Sequence, residues 1–86
     1  MTRKPEDKAM VEKPEDKALR EELGWRFTCR RKELGLRQGV VAARSELSQS
    51  LYCMMEGGKR SPTVVALLKI ARALELPAGE FLEGME

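Results

Sequence analysis

The sequence predicts an all-α domain of five helices. Apolar residues recur at three-to-four-residue spacing through most of the chain, and no stretch alternates apolar with polar residues as a half-buried strand does. The chain has 86 residues, which is the size of one domain, and 42% of them are hydrophobic, which is enough for one modest core. Because only 5% are aromatic, we expect this core to consist mainly of Leu, Val, Ala and Met.

The chain begins with a duplicated segment. The hexapeptide KPEDKA occupies residues 4–9 and again residues 13–18. Little apolar sequence follows the first copy, whereas a long apolar repeat follows the second. We therefore expect residues 1–12 to form a flexible N-terminal arm and residues 13–86 to form the folded domain.

The first helix is predicted to begin at the second copy of this segment. Pro14 suits the first helical position, and Glu15 and Asp16 lie in the first turn, where negative charge stabilises the helix dipole. Gly35 ends the pattern. The apolar positions between these limits have helical spacing: Leu19, Leu23, Phe27 and Leu34.

Two short helices are predicted next. The first runs from Arg37 to Arg44, with Arg37 standing where a Ser or Thr would normally supply the capping oxygen. The second runs from Gln49 to Glu56, with Ser48 placed to cap it and two glycines directly after it. The eight residues of this second helix include no Lys and no Arg.

The last two helices follow the loop that ends at Pro62. Thr63 is predicted to open the fourth helix, and Leu76-Pro77 to end it. A fifth short helix is predicted for residues 77–83. The apolar stripe expected to bury the fourth helix consists of Val64, Leu67, Leu68, Ala71 and Leu74.

Charge and composition restrict the class of function. The formal net charge is +2, but residues 23–72 contain ten Lys and Arg against three Glu. This favours a surface that faces a polyanion, or equally a solvated, salt-bridged surface. The chain has no His and two Cys, so we predict no metal site and no cofactor, and no nucleophile-and-base arrangement indicates an enzyme. No apolar run approaches the ~18 residues of a membrane span, and we expect a cytoplasmic protein.

The segment from Leu23 to Leu82 resembles the DNA-binding domain of the phage-repressor and Cro-type helix-turn-helix family, whose members include xenobiotic-response-element-like domains. Single features of the resemblance are weak, but their order and spacing are specific. These features are Arg31 before LGL (34–36), Gln38 opening the second helix, Ala42 in its middle, LSQS (47–50), EGGKRSP (56–62) and LLKIARAL (67–74).

The resemblance implies that helices 2 and 3 form the helix-turn-helix and that helix 3 enters the major groove. Polar side chains at its start can hydrogen-bond to base edges, and a Met can contact a thymine methyl group. Flanking cations and backbone N–H groups bind phosphates. The base-reading candidates are Ser48, Gln49, Ser50 and Met54. The phosphate-contacting candidates are Arg37, Gln38, Gly57, Lys59 and Arg60, and the pair Gly57-Gly58 is expected to let the backbone approach the DNA closely.

Three further positions matter in the resemblance. Arg31 and Glu56 match a pair that forms a structural ion pair in this family. Glu46 occupies the turn position where the family usually has Gly, which adopts a left-handed conformation without strain. A left-handed Glu46 would cost ~1 kcal/mol, so this turn is expected to be strained or to have another shape.

The function implied is that of a sequence-specific regulator of transcription that binds double-stranded DNA as a homodimer. Phe81, Leu82 and Met85 are expected to close the core, to form the dimer seam, or both. One alternative is an antitoxin, with a toxin as its partner, and another is a restriction–modification controller. The rival from a different class is a protein-interaction module of this fold that has lost DNA binding.

Overall fold

The computed structural model describes residues 13–85, which form five α-helices and, within that range, no strand. The prediction of a five-helix all-α domain is confirmed, whereas the predicted arm at residues 1–12 lies outside the described residues. No helix of residues 13–85 is long and apolar enough to cross a membrane. The helices are α1 (Pro14–Glu33), α2 (Gln38–Arg44), α3 (Gln49–Glu56), α4 (Val64–Ala73) and α5 (Ala78–Leu82).

The ends of the helices follow the local sequence. The hydroxyl of Ser48 accepts a hydrogen bond from the Leu51 N–H at 3.1 Å and caps α3. The hydroxyl of Thr63 accepts one from the Ala66 N–H at 3.1 Å and caps α4. Arg37 precedes α2 in an extended conformation and supplies no side-chain cap, as its residue type predicts. Each of the two capped ends is worth about 1 kcal/mol relative to an uncapped end.

The core lies between the helices: α3 packs on α1 and α2, α4 packs on α2 and α5, and α5 packs on α1. Phe27 of α1 and Phe81 of α5 pack edge to face, with ring centroids 5.3 Å apart. Phe81 is thus buried, as expected of a residue that closes the core, whereas Leu82 is exposed and Met85 is half-buried. The dimer seam expected for these three residues stays a prediction. The buried apolar side chains are Phe27, Val41, Ala42, Tyr52, Met55, Ala66, Ile70, Ala71, Ala73, Leu74 and Phe81.

The buried stripe of α4 differs from the predicted one. Ala71 and Leu74 are buried and Leu67 is half-buried, but Val64 and Leu68 are exposed, and Ile70 is buried instead. Nearly every residue of α4 is apolar, so periodicity alone could not orient the helix. Contacts of α4 with α2 and α5 decide which side faces inward.

Two glycines permit close approach between helices. A Cβ at Gly24 of α1 would collide with the carbonyl oxygens of Met55 and Glu56 at the end of α3. A Cβ at Gly58, which has a φ of +75°, would lie 2.8 Å from the Cα of Glu21. Gly58 is therefore buried against α1, and the expectation that it lets the backbone approach DNA is wrong. Gly57 remains exposed, and nothing in its surroundings requires glycine.

Candidate nucleic-acid interface

The turn between α2 and α3 has a left-handed residue at its centre. Glu46 has a φ of 60°, so of the two shapes expected for this turn the strained, left-handed one is observed. The Leu47 N–H donates to the Ala42 carbonyl at 2.9 Å and closes the turn, and Ala42 is buried where the two helices cross. The Glu46 carboxylate lies 2.8 Å from the Lys69 ammonium, which lowers the pKa of Glu46.

The exposed side of α3 carries small and polar groups. Ser48, Gln49 and Ser50 are exposed at its N-terminal end. Met54, one turn further on, is only half-buried, so part of its side chain remains accessible. The inner side of the helix carries Tyr52 and Met55, which are buried.

A concave surface lies between the starts of α2 and α3. The Gln49 Oε1 atom lies over Gly39, at 3.0 Å from the position that a Cβ would occupy there. A larger residue at position 39 would push the Gln49 side chain away from α2. Sequence reasoning did not identify Gly39, although a glycine in the first turn of a short helix is an available signal because it lowers helix stability. The residues that line this surface are Arg31, Arg37, Gln38, Gly39, Val40 and Gln49.

Three of the residues predicted to contact phosphates have exposed cationic side chains. Arg37 is exposed just before α2, and Lys59 and Arg60 are exposed just after α3. Within residues 13–85 none of the three forms an ion pair. The backbone N–H groups of Lys59 and Arg60 both point to the Met54 carbonyl, at 2.9 and 3.4 Å, which holds the loop close to α3.

Other cations of the basic segment stabilise the fold. Arg26 donates to the carbonyls of Phe81 and Glu83 at 3.2 and 2.6 Å. Arg30 donates to the Leu74 carbonyl at 2.9 Å. Both side chains compensate backbone acceptors at helix ends, where carbonyls lack partners within the helix. The basic segment therefore combines a structural set of cations on α1 with an outward set near α3.

A buried polar cluster joins α1, α2 and α3 around Glu56. The Arg31 guanidinium donates to the Glu56 carboxylate at 2.7 and 3.1 Å, and it also donates to the Leu36 carbonyl at 2.9 Å. The predicted ion pair is thus present. Thr28 Oγ1 and Gln38 Nε2 each donate to the same carboxylate at 3.0 Å.

The pKa values in this cluster reflect its hydrogen bonds. Burial acts to raise the pKa of Glu56, but the donors around its carboxylate, Arg31 foremost, outweigh burial and lower it. The hydrogen bond with Glu56 raises the pKa of Arg31. Burial, followed by the neighbouring Glu56 carboxylate, raises the pKa of Tyr52, whose hydroxyl meets no partner of good hydrogen-bond geometry among the described residues.

The side chain of Gln38 is held by a hydrogen bond to Glu56 that was not predicted. One hydrogen of its side-chain amide is used by Glu56, so the side chain turns inward and one N–H remains for a ligand. Gln38 therefore links the start of α2 to the end of α3. Any phosphate contact by this residue would act together with that link.

Comparison with known proteins identifies the family. The family model of a helix-turn-helix domain matches residues 18–83. An uncharacterised HTH-type transcriptional regulator, y4dJ of Sinorhizobium fredii (strain NBRC 101917 / NGR234), is 43% identical over 56 residues, which span 65% of this chain and 73% of that protein.

Two solved structures are similar as well. The restriction-modification controller protein C.AhdI from Aeromonas hydrophila has a TM-score of 0.73 at 33% identity, covering 74% of this chain and 97% of that chain. The clp gene regulator ClgR from Corynebacterium glutamicum has a TM-score of 0.71 at 25% identity, covering 74% of this chain and 83% of that chain. With its capped α3, its left-handed turn and its central ion pair, the chain belongs to the helix-turn-helix family of transcriptional regulators.

Proposed function

We propose that the chain binds an operator sequence in double-stranded DNA as a homodimer and represses transcription by occupying it. One observation carries the proposal. The polar start of α3 is exposed, and three cations near α3 have no ion-pair partner within residues 13–85. Arg37 lines a concave surface together with Gln49, and Lys59 and Arg60 lie in a loop held to the Met54 carbonyl. An exposed polar helix start flanked by free cations fits a duplex, whose phosphates border the base edges on both sides.

In this proposal the side chains of α3 read the bases. The Gln49 amide can donate to N7 or accept from N6 of adenine, and the Ser48 and Ser50 hydroxyls suit a base or a phosphate. The Ser48 oxygen already accepts the capping hydrogen bond, so its hydrogen remains for donation. Met54 offers apolar surface to a thymine methyl group. Since α3 carries no Arg for guanine, an A·T-biased half-site is expected.

The groups around α3 supply most of the affinity for DNA in this proposal. Arg37, Lys59 and Arg60 contact phosphates, supported by Gln38 and by the backbone at Gly57. Phosphate contacts position the protein and supply salt-dependent affinity, whereas the groups on α3 supply discrimination. For a symmetric dimer the two half-sites should lie about one helical turn apart, ~34 Å.

A second candidate function has specific support. The similarity to C.AhdI covers nearly the whole of that controller protein, so a role as the controller of a restriction–modification system is favoured among the narrower alternatives. Genes for a nuclease and a methyltransferase beside this one would support it, and a neighbouring toxin gene would favour the antitoxin role. A protein-interaction module that has lost DNA binding has no reason to keep Arg37, Lys59 and Arg60 exposed and without ion-pair partners among residues 13–85, which weighs against it.

Selection of bound sequences from random duplexes at two salt concentrations tests the proposal. A palindromic or repeated motif with A·T-rich half-sites is the expected result, together with weaker recovery at the higher salt concentration. A variant with Arg37, Lys59 and Arg60 all replaced by Ala is the matched control and should recover no motif. Equal recovery of all sequences by the natural chain at both salt concentrations would refute sequence-specific binding.

A further inference from the structure

Three arginines of α1 each bond to a backbone carbonyl near the end of a different helix. Arg30 and Arg26 reach the ends of α4 and α5, as described above. Arg20, which is half-buried, donates through its Nε atom to the Gly58 carbonyl at 2.9 Å. Gly58 lies in the loop that follows α3. Of the three arginines, Arg20 is therefore the one that holds the loop to which phosphate contacts are assigned.

The Gly58 carbonyl and the Lys59 N–H belong to one peptide group, and both are held. The carbonyl accepts from Arg20 of α1 at 2.9 Å, and the N–H donates to the Met54 carbonyl of α3 at 2.9 Å. Because a peptide group is planar, hydrogen bonds at its two ends fix the orientation of its plane. That orientation limits the directions in which the Lys59 side chain can leave the backbone. Arg60 follows directly, and its N–H points to the same Met54 carbonyl at 3.4 Å.

Steric contact with α1 fixes the loop at the same place. Gly58 has a φ of +75°, and a Cβ there would lie 2.7 Å from the Cγ atom and 2.8 Å from the Cα atom of Glu21. The loop therefore lies directly against the backbone of α1 and cannot shift toward it. Since Arg20 and Glu21 are adjacent in the sequence, one turn of α1 supplies both the contact surface and the hydrogen-bond donor.

We propose that Arg20 is a positioning residue for DNA binding: by holding the Gly58 carbonyl, it fixes the loop from which Lys59 and Arg60 reach the phosphates. The inference rests on the proposed function, because that function assigns these two cations to phosphates. A side chain on a loop that is already ordered loses less conformational entropy on binding than one on a loop that must first be ordered. Arg20 thus raises the affinity for DNA without touching it.

Two other roles of Arg20 would behave differently. In a purely structural role, like that of Arg30, its removal would lower the free energy of unfolding and leave the affinity of the folded protein unchanged. In a direct contact with a phosphate, its contribution would add to those of Lys59 and Arg60, because independent contacts are additive. A positioning residue acts only through the two loop cations, so its effect should disappear once both are removed.

Fluorescence anisotropy with the operator recovered by selection and with an unrelated duplex tests the inference. Arg20→Met keeps the apolar stem and removes the guanidinium, and it should weaken binding to both duplexes by about 3- to 10-fold. In a Lys59→Ala/Arg60→Ala background the same substitution should cause no further loss. Arg30→Met is the matched control, because it also loses a hydrogen bond of 2.9 Å from Nε to a carbonyl at a helix end, and it should leave the affinity unchanged. Circular dichroism checks that each variant is folded at the temperature of the measurement.

A conservative variant separates the hydrogen bond from the charge. In Arg20→Gln the side-chain amide nitrogen lies as many bonds from the backbone as the arginine Nε does, so the donor is kept while the charge is lost. This variant should bind both duplexes nearly as tightly as the natural chain. If Arg20 contacted a phosphate itself, Arg20→Gln would weaken binding as much as Arg20→Met and would reduce the salt slope by about one.

Hydrogen exchange of the natural chain, followed by NMR without DNA, needs no variant. The Lys59 amide should exchange at least ~10-fold more slowly than in an unstructured peptide of the same sequence. In Arg20→Met this protection should decrease, whereas that of the amides in the middle of α1 should not change.

Four results would overturn the inference and leave the proposed function intact. These are natural affinity in Arg20→Met, an equal further loss in the Lys59→Ala/Arg60→Ala background, a loss in Arg30→Met as large as that in Arg20→Met, and an unprotected Lys59 amide in the natural chain. Should Arg20→Met not fold, weak binding by a folded Arg20→Gln would overturn the inference, and natural affinity would support it. A natural chain that is protected at Lys59 but binds no duplex would refute the proposed function, and the inference would fall with it.

Discussion

The carboxylate of Glu56, the last residue of α3, accepts hydrogen bonds at 2.7 and 3.1 Å from the guanidinium of Arg31 in α1. Both side chains are largely buried, with side-chain exposures of 4% and 13%. Gln38, at the start of α2, donates to the same carboxylate. The two helices of the helix-turn-helix are thus joined to each other and to α1, so the position of the exposed side of α3 depends on this buried cluster.

Replacing Arg31 should strongly destabilise the fold. Arg31→Ala leaves the Glu56 carboxylate buried without its main partner, which costs about 3–5 kcal/mol in comparable pairs. Urea unfolding followed by circular dichroism measures the change in the free energy of unfolding. The double variant Arg31→Met/Glu56→Leu should lose less than Arg31→Ala alone, because no unpaired charge remains. A larger loss in the double variant would contradict this account.

Acid should destabilise the protein through Glu56. Its pKa is lowered in the folded state, so the folded protein binds this proton less readily than the unfolded chain does. The stabilisation is therefore fully present above the ordinary glutamate pKa and is lost as the pH falls through the lowered folded value. Unfolding free energies measured between pH 7 and pH 3 should fall more steeply for the natural chain than for Glu56→Gln. Parallel pH curves would show that another group is responsible.

Removing the backbone strain at the left-handed residue Glu46 should stabilise the fold. Glu46 has a φ of 60°, so Glu46→Gly removes backbone strain of ~1 kcal/mol. Its ion pair with Lys69 is exposed and contributes little. The control Glu46→Gln removes the ion pair and keeps the strain, so its thermal midpoint should stay near that of the natural chain while that of Glu46→Gly rises. A lower midpoint for the Gly variant would show that the Lys69 contact outweighs the strain.

Removal of the Gln49 amide should affect discrimination between bases. Gln49→Ala is expected to weaken operator binding by ~1–3 kcal/mol and to relax the preference at one base position. Binding of a set of duplexes with single substitutions, measured by fluorescence anisotropy, gives both quantities. Gly39→Ala is an informative companion, because it disturbs the Gln49 side chain from below. An equal loss on every sequence would refute a base-reading role.

Removal of a loop cation should weaken binding to all duplexes alike. Lys59→Ala or Arg60→Ala should lower the affinity for operator and unrelated DNA by a similar factor and reduce the salt slope by about one. Affinities at several salt concentrations supply the slope. Gln49→Ala serves as the contrast, since it should leave the slope unchanged. A cation whose removal does not alter the slope is not in contact with a phosphate.

Most of the fold could be predicted from the sequence because its signals are local. Pro14 and Ser48 mark helix starts, Gly35 marks a helix end, and these features act through backbone geometry and hydrogen bonds within a few residues. The order of motifs was specific enough to indicate the Arg31–Glu56 pair, whereas it left two shapes open for the turn at Glu46, of which the left-handed one is observed. Where residue type and spacing carry the information, the structure agrees with the sequence.

The predictions that were wrong concern residues whose burial is determined by packing between segments far apart in the sequence. In α4 almost every residue is apolar, so only the positions of α2 and α5 determine that Ile70 points inward and Leu68 outward. Gly58 was expected to let the backbone approach DNA, but it is required by its close contact with α1.

By itself, then, the sequence determined the helices, their caps and the family, because these depend on neighbouring residues. Which side of each helix meets another, and hence which apolar and cationic groups remain for partners, was decided only by the tertiary structure. The cause is that a side chain is buried by segments far apart in the chain, and the sequence of one helix does not specify which segments pack against it.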